Sequence, residues 1–518
     1  MTFGMPLPRR AWPFVVVATV ATLALYWPSL SFDLFADDYL FLRPWTAAEW
    51  QAAWTGPWLT FPTAPPFYRP LTTTMYAGMF ALFGMNAAAL HWLTLPVMIG
   101  AATMVGLYTA HALKDDRIGW LSTLLFVVFP GAVTSIGPWI VNQYHGLLVI
   151  TCAAAWRLWP TTPHISWSRW AGLATLAAAA AWLKEDGVML PLALVAGHAA
   201  SAWWSGTTPP PPRRLVLAAG AITGVLFLWR LLMLGTFGGY AWWPEPRDMA
   251  LNLVRGIAWT TLVQRGSLPA AALATVCTAA LCLAGTWRAW RSPSAPESRL
   301  FVFAGAAFCV FLLPHALMSS MTRSHLLSLA AVTLLTAALT PLLRRGVLVR
   351  AGLALGLVAL AVVSRERLSA FAPCAEEARY ELGWVIPEVR AWGPPEMATW
   401  LEGLSTCEPG TKRRLVTEVD TLTWGLTAPS VNLVLFVHEG VSSMRWTVSA
   451  DSPQTVTLFV DGYAPQTVDV GPTPRVFDLT FSPTWRTSLR AMHRVDLVST
   501  RPLRWTSQVD TLRRSATD

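Results

Sequence analysis

Two adjacent carboxylates, Asp37 and Asp38, follow the first long apolar run of the chain and stand directly before Tyr39. A second charged group, Lys184-Glu185-Asp186, ends a run made almost entirely of alanine and leucine, and Lys184 is one of only three lysines, with Lys114 and Lys412. Arg69 in the segment FYRPL (67–71), Arg230 near the end of another apolar run and Arg323 just before a further one add cations. Ionisable groups at a membrane boundary are costly unless paired or functional. Each has a plain structural reading: acids at a helix end are commonly solvated, an arginine there snorkels to the interface, and Lys184 is as well explained by pairing with Glu185 or Asp186 as by phosphate binding. Gathered on one membrane face, however, this mixture suits transfer of a sugar from a phosphate leaving group. A carboxylate takes the acceptor proton, and cations stabilise the phosphate left behind.

The elements that must position these groups are membrane helices. Only 13% of the 518 residues are charged and 54% are hydrophobic, against about 25% charged in soluble domains. A hydrocarbon core about 30 Å thick needs about 20 apolar residues per helix. Eleven stretches qualify as candidates, at 12–32, 86–112, 118–137, 143–160, 170–184, 187–204, 214–234, 269–287, 300–318, 325–343 and 347–364. The fifth and sixth flank Lys184-Glu185-Asp186-Gly187; joined, they exceed a single crossing even with tilt, so a tight hairpin is expected there. The start, Met1 to Arg10 followed by an apolar run, reads as an uncleaved signal anchor.

Basic residues accumulate in cytoplasmic loops. With the N-terminus inside, 14 arginines and lysines fall in inner loops and 7 outside, with Arg230 within its helix. Asp37, Asp38, Arg69, Lys184 and Arg323 then share the outer face. Two outer loops are long, 33–85 and 235–268, and carry the aromatic stretches PWTAAEWQAAW and YAWWPEPRDMALNLVRGIAW, of the kind that lies flat on a membrane surface.

From Arg365 onward the pattern changes: the tail holds 18 of the 29 acids. After an initial stretch to about residue 405 with room for one or two short helices, VTEV, NLVLFVH, MRWTVSA, TVTLFVD, RVFDLTF and RVDLVS alternate apolar and polar residues between turn signals. The expected architecture is an α-helical polytopic membrane protein with about 11 transmembrane helices over residues 1–364 and an extracytoplasmic, mainly β, sandwich-like domain over 365–518. Its place is the cell (inner) membrane, with the site and the tail outside. Cys374 and Cys407, the only cysteines of the tail, suggest a disulfide in such a compartment. The net charge of +9 divides into 22 basic against 11 acidic residues before Arg365 and 16 against 18 after it, so no general patch for nucleic acid follows.

On these residues the chain resembles the GT-C superfamily of integral-membrane glycosyltransferases, the group that includes protein O-mannosyltransferases and lipid A aminoarabinose transferases. The features are ADDY (36–39), FYRPL (67–71), ALFGMN (81–86) with His91, VTSIGPWI (133–140), WLKEDGVMLPLAL (182–194), LFLWRLLMLG (226–235) and LPHALMSSMTRSH (313–325). Singly each is weak; their order and spacing match across roughly 12–345. The resemblance implies a polyprenyl-phosphate-linked sugar donor, a first-loop acid as base, here Asp37 with Asp38 beside it, and donor-phosphate contacts from Lys184, Arg230 and Arg323. Glu185, Asp186, Arg69, Tyr39 and His145 are supporting candidates. Two segments depart from the pattern: Asn142-Gln143-Tyr144-His145, where relatives carry a charged Gly-Arg type sequence, and Ser324-His325, where an aromatic is usual. Which sugar moves, and whether the acceptor is protein, lipid or glycan, stays open.

No Gly-Lys-Ser/Thr phosphate loop, His-Glu-x-x-His or Gly-x-Ser-x-Gly occurs, so nucleotide hydrolysis, zinc proteolysis and serine-hydrolase chemistry lack their signatures. No cofactor is implied beyond a divalent cation, which two carboxylates are able to hold. The alternatives are a transporter or flippase of lipid-linked glycans, which would place ionisable groups along a mid-membrane path between repeats, and a membrane-anchored binding or assembly factor.

Overall fold

The computed structural model describes residues 11–32, 42, 45, 47–56, 67–84, 86–129, 132, 140–159, 166–206, 210–235, 246–247, 249–250, 253, 268–316 and 325–369. In the tail it describes 398–400, 422–425, 430–438, 441–450, 452–460, 466–480, 490–499 and 504–513. Asp37, Asp38, Tyr39, Arg323, Cys374 and Cys407 lie outside the described residues. The chain divides into a unit of residues 1–32, 68–75 and 86–370 and a second of 33–67, 76–85 and 371–518.

The first unit is helical. Its elements are α1 (Ala11–Tyr26, continued by a 3-10 turn Trp27–Ser31) and the start of α3 (Pro70–Phe83), then α4 (Ala87–Leu113), α5 (Asp116–Val128), α6 (Gln143–Leu158) and α7 (Trp167–Leu183). After these come α8 (Leu190–Ser205), α9 (Arg213–Leu234), α10 (Leu268–Arg291), α11 (Pro296–Ala316), α12 (His325–Leu343) and α13 (Val347–Ser369). Each of the eleven apolar stretches carries one of these helices. Local chemistry sets their ends. Asn86 caps α4, its side chain accepting from the Ala89 N–H at 3.1 Å, and Lys114 closes it in the left-handed conformation at φ 53°. Asp115 then accepts from the Arg117 N–H at 3.0 Å and opens α5.

Among the described residues, seven helices are long and apolar enough to cross a membrane: Ala11–Ser31, Ala87–Leu113, Glu185–Ser205, Arg213–Leu234, Pro296–Pro314, Leu326–Leu343 and Val347–Glu366. Eleven crossings are not shown on that criterion: α10, of 24 residues, is not among the seven, and α5, α6 and α7 have 13, 16 and 17 residues. These last three fall short of the about 20 residues that a crossing along the bilayer normal takes.

Apolar side chains face outward as well as inward. Leu217, Val225 and Leu232 on α9 and Leu348, Leu355 and Val358 on α13 are exposed. Burying them in water-excluding lipid removes a cost that a soluble surface of this kind would carry. Inside, helices approach through small residues. A Cβ on Gly106 of α4 would fall 2.0 Å from Thr123 Oγ1 of α5, and one on Gly119 would fall 2.7 Å from the Gly106 carbonyl oxygen. Close backbone contact of this sort drives association where lipid offers no hydrophobic gain.

The second unit holds α2 (Ala47–Thr55), within the first aromatic stretch, with the Trp50 and Trp54 rings edge-on at 6.4 Å. Its strands are β1 (Ala398–Trp400), β2 (Leu422–Gly425), β3 (Ser430–His438), β4 (Val441–Ser449), β5 (Gln454–Val460), β6 (Gln466–Val470), β7 (Arg475–Thr480), β8 (Arg490–Ser499) and β9 (Arg504–Arg513). They form two sheets, ordered β1-β3-β8-β5-β6 and β2-β9-β4-β7, and all pairings are antiparallel. NLVLFVH, MRWTVSA, TVTLFVD, RVFDLTF and RVDLVS fall on β3, β4, β5, β7 and β8, while VTEV lies outside the described residues. In the stretch from Arg365 to about 405, where short helices were expected, residues 365–369 continue α13 and Ala398–Trp400 are a strand paired with Val434–Phe436.

Candidate functional site

The site grows from the break between α7 and α8. A continuous helix would have carried Lys184 onward, but Lys184 is extended at φ −157°, ψ 155°, and Glu185–Met189 form a 3-10 turn before α8 begins. Gly187 makes the turn possible: a Cβ there would stand 2.1 Å from the carbonyl oxygen of Ala180. The expected interruption is therefore present, and a side chain at its tightest point would collide with the Ala180 backbone.

Ending α7 here leaves its last carbonyls without intrahelical donors. Distant segments supply them. The Thr72 hydroxyl at the start of α3 donates to the Leu183 carbonyl at 2.8 Å. Arg230 Nη1, from the last turns of α9, donates to the Ala181 carbonyl at 3.3 Å and to the Tyr68 carbonyl at 2.7 Å. Cations are favoured at this pole of a helix by its dipole, so the location of Arg230 has a local cause as well as a tertiary one.

Glu185 is the hub. Arg69 grips it with two parallel bonds, Nε to Oε1 at 2.7 Å and Nη2 to Oε2 at 2.8 Å, the geometry in which arginine binds carboxylate best. Arg230 Nη2 reaches the same Oε1 at 3.4 Å. Arg69 is further held by Tyr144 of α6, whose hydroxyl accepts from Nη1 at 3.3 Å and whose ring lies 5.4 Å beneath the guanidinium. Trp229 Nε1 donates to the Tyr68 hydroxyl at 3.0 Å and pins α9 to the same segment. Beside this hub, Lys184 Nζ faces Asp186 Oδ2 at 3.8 Å, and both side chains are buried.

Five of the sequence-predicted residues, Arg69, Lys184, Glu185, Asp186 and Arg230, thus meet around one turn. The sequence left Lys184 to pair with Glu185 or Asp186; Asp186 faces it, while Glu185 is clamped by Arg69 and Arg230. Arg230, expected at a donor phosphate, is buried with both terminal nitrogens engaged by Tyr68, Ala181 and Glu185. It braces the turn.

The Asn142–His145 segment, read as a departure from a family pattern, has a packing role. Gln143 Nε2 donates to Thr94 Oγ1 at 2.8 Å and to the Leu90 carbonyl at 3.3 Å, fixing α6 on α4. The buried His145 ring lies 4.2 Å from that of Tyr144. Tyr68, Thr72, Tyr144 and Trp229 were not singled out in the sequence. Tyr68 had a signal, since it precedes Arg69 in FYRPL, and Tyr144 had one in lying within the departing segment 142–145, although an aromatic in an apolar helix ordinarily packs. Among the described residues no group of three or more His, Cys, Asp or Glu is placed to hold a metal ion.

No protein-family model matches the sequence, and no curated protein matches it. Among solved structures, the chain is similar to the cryo-EM structure of arabinosyltransferase EmbB from Mycobacterium smegmatis, with 12% identity and a TM-score of 0.28. The match covers 99% of this chain and 66% of that one, so the chain spans less than two thirds of that protein's length. The likeness is slight.

Proposed function

We propose that this protein is a membrane glycosyltransferase that moves a sugar from a polyprenyl-phosphate-linked donor to an extracytoplasmic acceptor, with inversion at the anomeric carbon. The observation that supports it is the cluster at the α7–α8 turn. Three cations, Arg69, Lys184 and Arg230, surround two acids, Glu185 and Asp186, in a buried setting, which leaves an excess of positive charge at the ends of apolar helices, where the head of a lipid phosphate would lie.

In this reading Asp37 is the base, with Asp38 and Tyr39 beside it. The acceptor oxygen loses its proton to Asp37 as it bonds to the anomeric carbon, the bond from that carbon to the phosphate oxygen breaks, and polyprenyl phosphate departs with the electron pair. Lys184 and Arg323 meet the phosphate. Arg230 and Arg69 act through Glu185, keeping the turn that presents Lys184 in place, and Asp186 orients the ammonium. No divalent cation is needed for that balance, although Asp37 and Asp38 are suited to hold one.

The test is transfer by the purified protein in lipid vesicles, using polyprenyl-phosphate sugars as donors. Removing a general base costs about 10²- to 10⁴-fold in rate, so Asp37→Asn should reach the membrane folded and transfer almost nothing, whereas Arg117→Gln, at the start of α5, should transfer normally. Near-parental transfer by the Asp37→Asn/Asp38→Asn double variant overturns the mechanism. Mass spectrometry of surface glycoconjugates from a deletion strain and its parent identifies sugar and acceptor together.

A further inference from the structure

The α8 helix runs roughly 24 Å from the turn at its 16-residue rise, and a second ionic group stands at its far end. There Trp204 Nε1 donates to the Ala289 carbonyl at 2.8 Å, tying α8 to the last turn of α10. Gly285 of α10 lies so close to Phe301 of α11 that a Cβ would fall 2.3 Å from its ring. Three helix ends are thereby drawn around Glu297, which is buried: Arg288 Nη2 of α10 reaches its Oε1 at 3.0 Å, and Arg344 Nη1, just past α12, reaches the same oxygen at 3.5 Å. Arg291, one turn beyond Arg288, lies over the rings of Trp287 and Trp290 at 5.5 and 5.7 Å. Arg345 follows Arg344 and is exposed.

One carboxylate here pairs with two arginines, and Arg291 and Arg345 add two more cations beside them, so the rim is strongly cationic; unlike the cluster at the turn it is open, the Arg288 and Arg344 side chains being 39% and 54% exposed. It is also ringed by exposed indoles, Trp203, Trp287 and Trp290 at 82%, 60% and 68%. Tryptophan is enriched at the level of the lipid headgroups, where one face of the ring is apolar and its edge is wet. Arginines set among such rings, at the ends of apolar helices, stand at the depth of lipid phosphates, and their guanidinium forks match phosphate oxygens.

We propose that this rim binds the phosphate of an anionic phospholipid, held by the exposed faces of Arg344 and Arg291, with Arg345 contributing charge and the indoles flanking the glycerol region. Arg288 does not take part directly; it holds Glu297 and so joins the end of α10 to the start of α11. The site is separate from the α7–α8 turn, and it stands or falls independently of the transferase reading.

Native mass spectrometry of the full-length protein, released from phosphatidylcholine vesicles with and without a minority of phosphatidylglycerol, tests it. Wild type should retain phosphatidylglycerol over phosphatidylcholine. Replacing both phosphate-facing residues, Arg291→Gln/Arg344→Gln, should weaken that preference roughly thirtyfold, the effect of two basic residues near an anionic surface. Arg291→Lys/Arg344→Lys, which keeps the charge and loses the fork, should retain most of it and serves as the folding control. Equal retention of the two lipids by wild type, or an undiminished preference in the glutamine variant, overturns the proposal. So does displacement of the lipid by millimolar inorganic phosphate, which would mark a site for free phosphate instead.

Discussion

At two places in the helical unit a single glutamate lies between two arginines, Glu185 between Arg69 and Arg230 and Glu297 between Arg288 and Arg344. The inventories are the same and the environments are not. Around Glu185 both arginine side chains are 9% exposed or less, and they donate in addition to the Tyr144 hydroxyl and to the Tyr68 and Ala181 carbonyls. Around Glu297 the arginine side chains are 39% and 54% exposed although the carboxylate is itself buried, and among the described residues its Oε2 and Arg288 Nε, both buried atoms, have no hydrogen-bond partner. Desolvated charges must be matched donor for acceptor, since each unmatched one costs several kcal/mol; exposed charges are completed by water. The first arrangement therefore fixes geometry, and the second leaves charge free for a partner.

The largest effect that separates them comes from removing the acids. Glu185→Gln leaves two buried arginines uncompensated and should cost about 3–5 kcal/mol, read as a sharp fall in the thermal unfolding midpoint. Glu297→Gln leaves arginines that water already reaches, so its cost should stay at about 1 kcal/mol or less. Equal falls would break the comparison.

Next in size is the turn itself. Gly187→Ala pushes a methyl group into the Ala180 carbonyl and should cost about 1–3 kcal/mol as an overpacking change, with loss of transfer in proportion. Gly346→Ala, at a position with nothing within 4 Å of the added Cβ, should leave the same midpoint close to wild type.

A smaller difference follows from arginine chemistry. Arg69→Lys keeps the charge but loses one of two bonds to Glu185 and the stacking on Tyr144; about 1–2 kcal/mol is expected from replacing a charge-assisted pair of bonds by one. Arg344→Lys should be close to neutral in stability. Least of all is the response to salt. At an ionic strength near 1 M the screening length is about 3 Å, so the cost of Glu297→Gln should shrink further while that of Glu185→Gln stays as it was. A salt-sensitive Glu185 would mean that water reaches the turn.

Much of this was legible in the residues. Runs of apolar side chains are required by lipid and need no partner to form a helix, so all eleven stretches carry one, and the charged interruption at 184–187 ends α7. Period-two alternation likewise marked β3, β4, β5, β7 and β8. It failed at β9, RWTSQVDTLR, whose polar composition hides a strand lying between β2 and β4. The number of crossings was less legible, because an apolar stretch can carry a helix shorter than a crossing, as α5 is at 13 residues.

By itself the sequence determined that charge would collect at helix ends. A lysine, a glutamate and an aspartate at the close of an apolar run must find partners or water, and this follows from desolvation alone. Only the tertiary structure decided which partners. Nothing local ties Arg69 to Glu185 across 116 positions, or turns Glu185 away from its neighbour Lys184 so that Asp186 faces the ammonium. Those choices depend on how α3, α6 and α9 pack against the turn, on the gap that Gly187 leaves at Ala180, and on which carbonyls the ending of α7 sets free. Pairing energies fall off over a few ångströms, so they are settled by the approach of whole helices, and sequence neighbourhood carries little information about that.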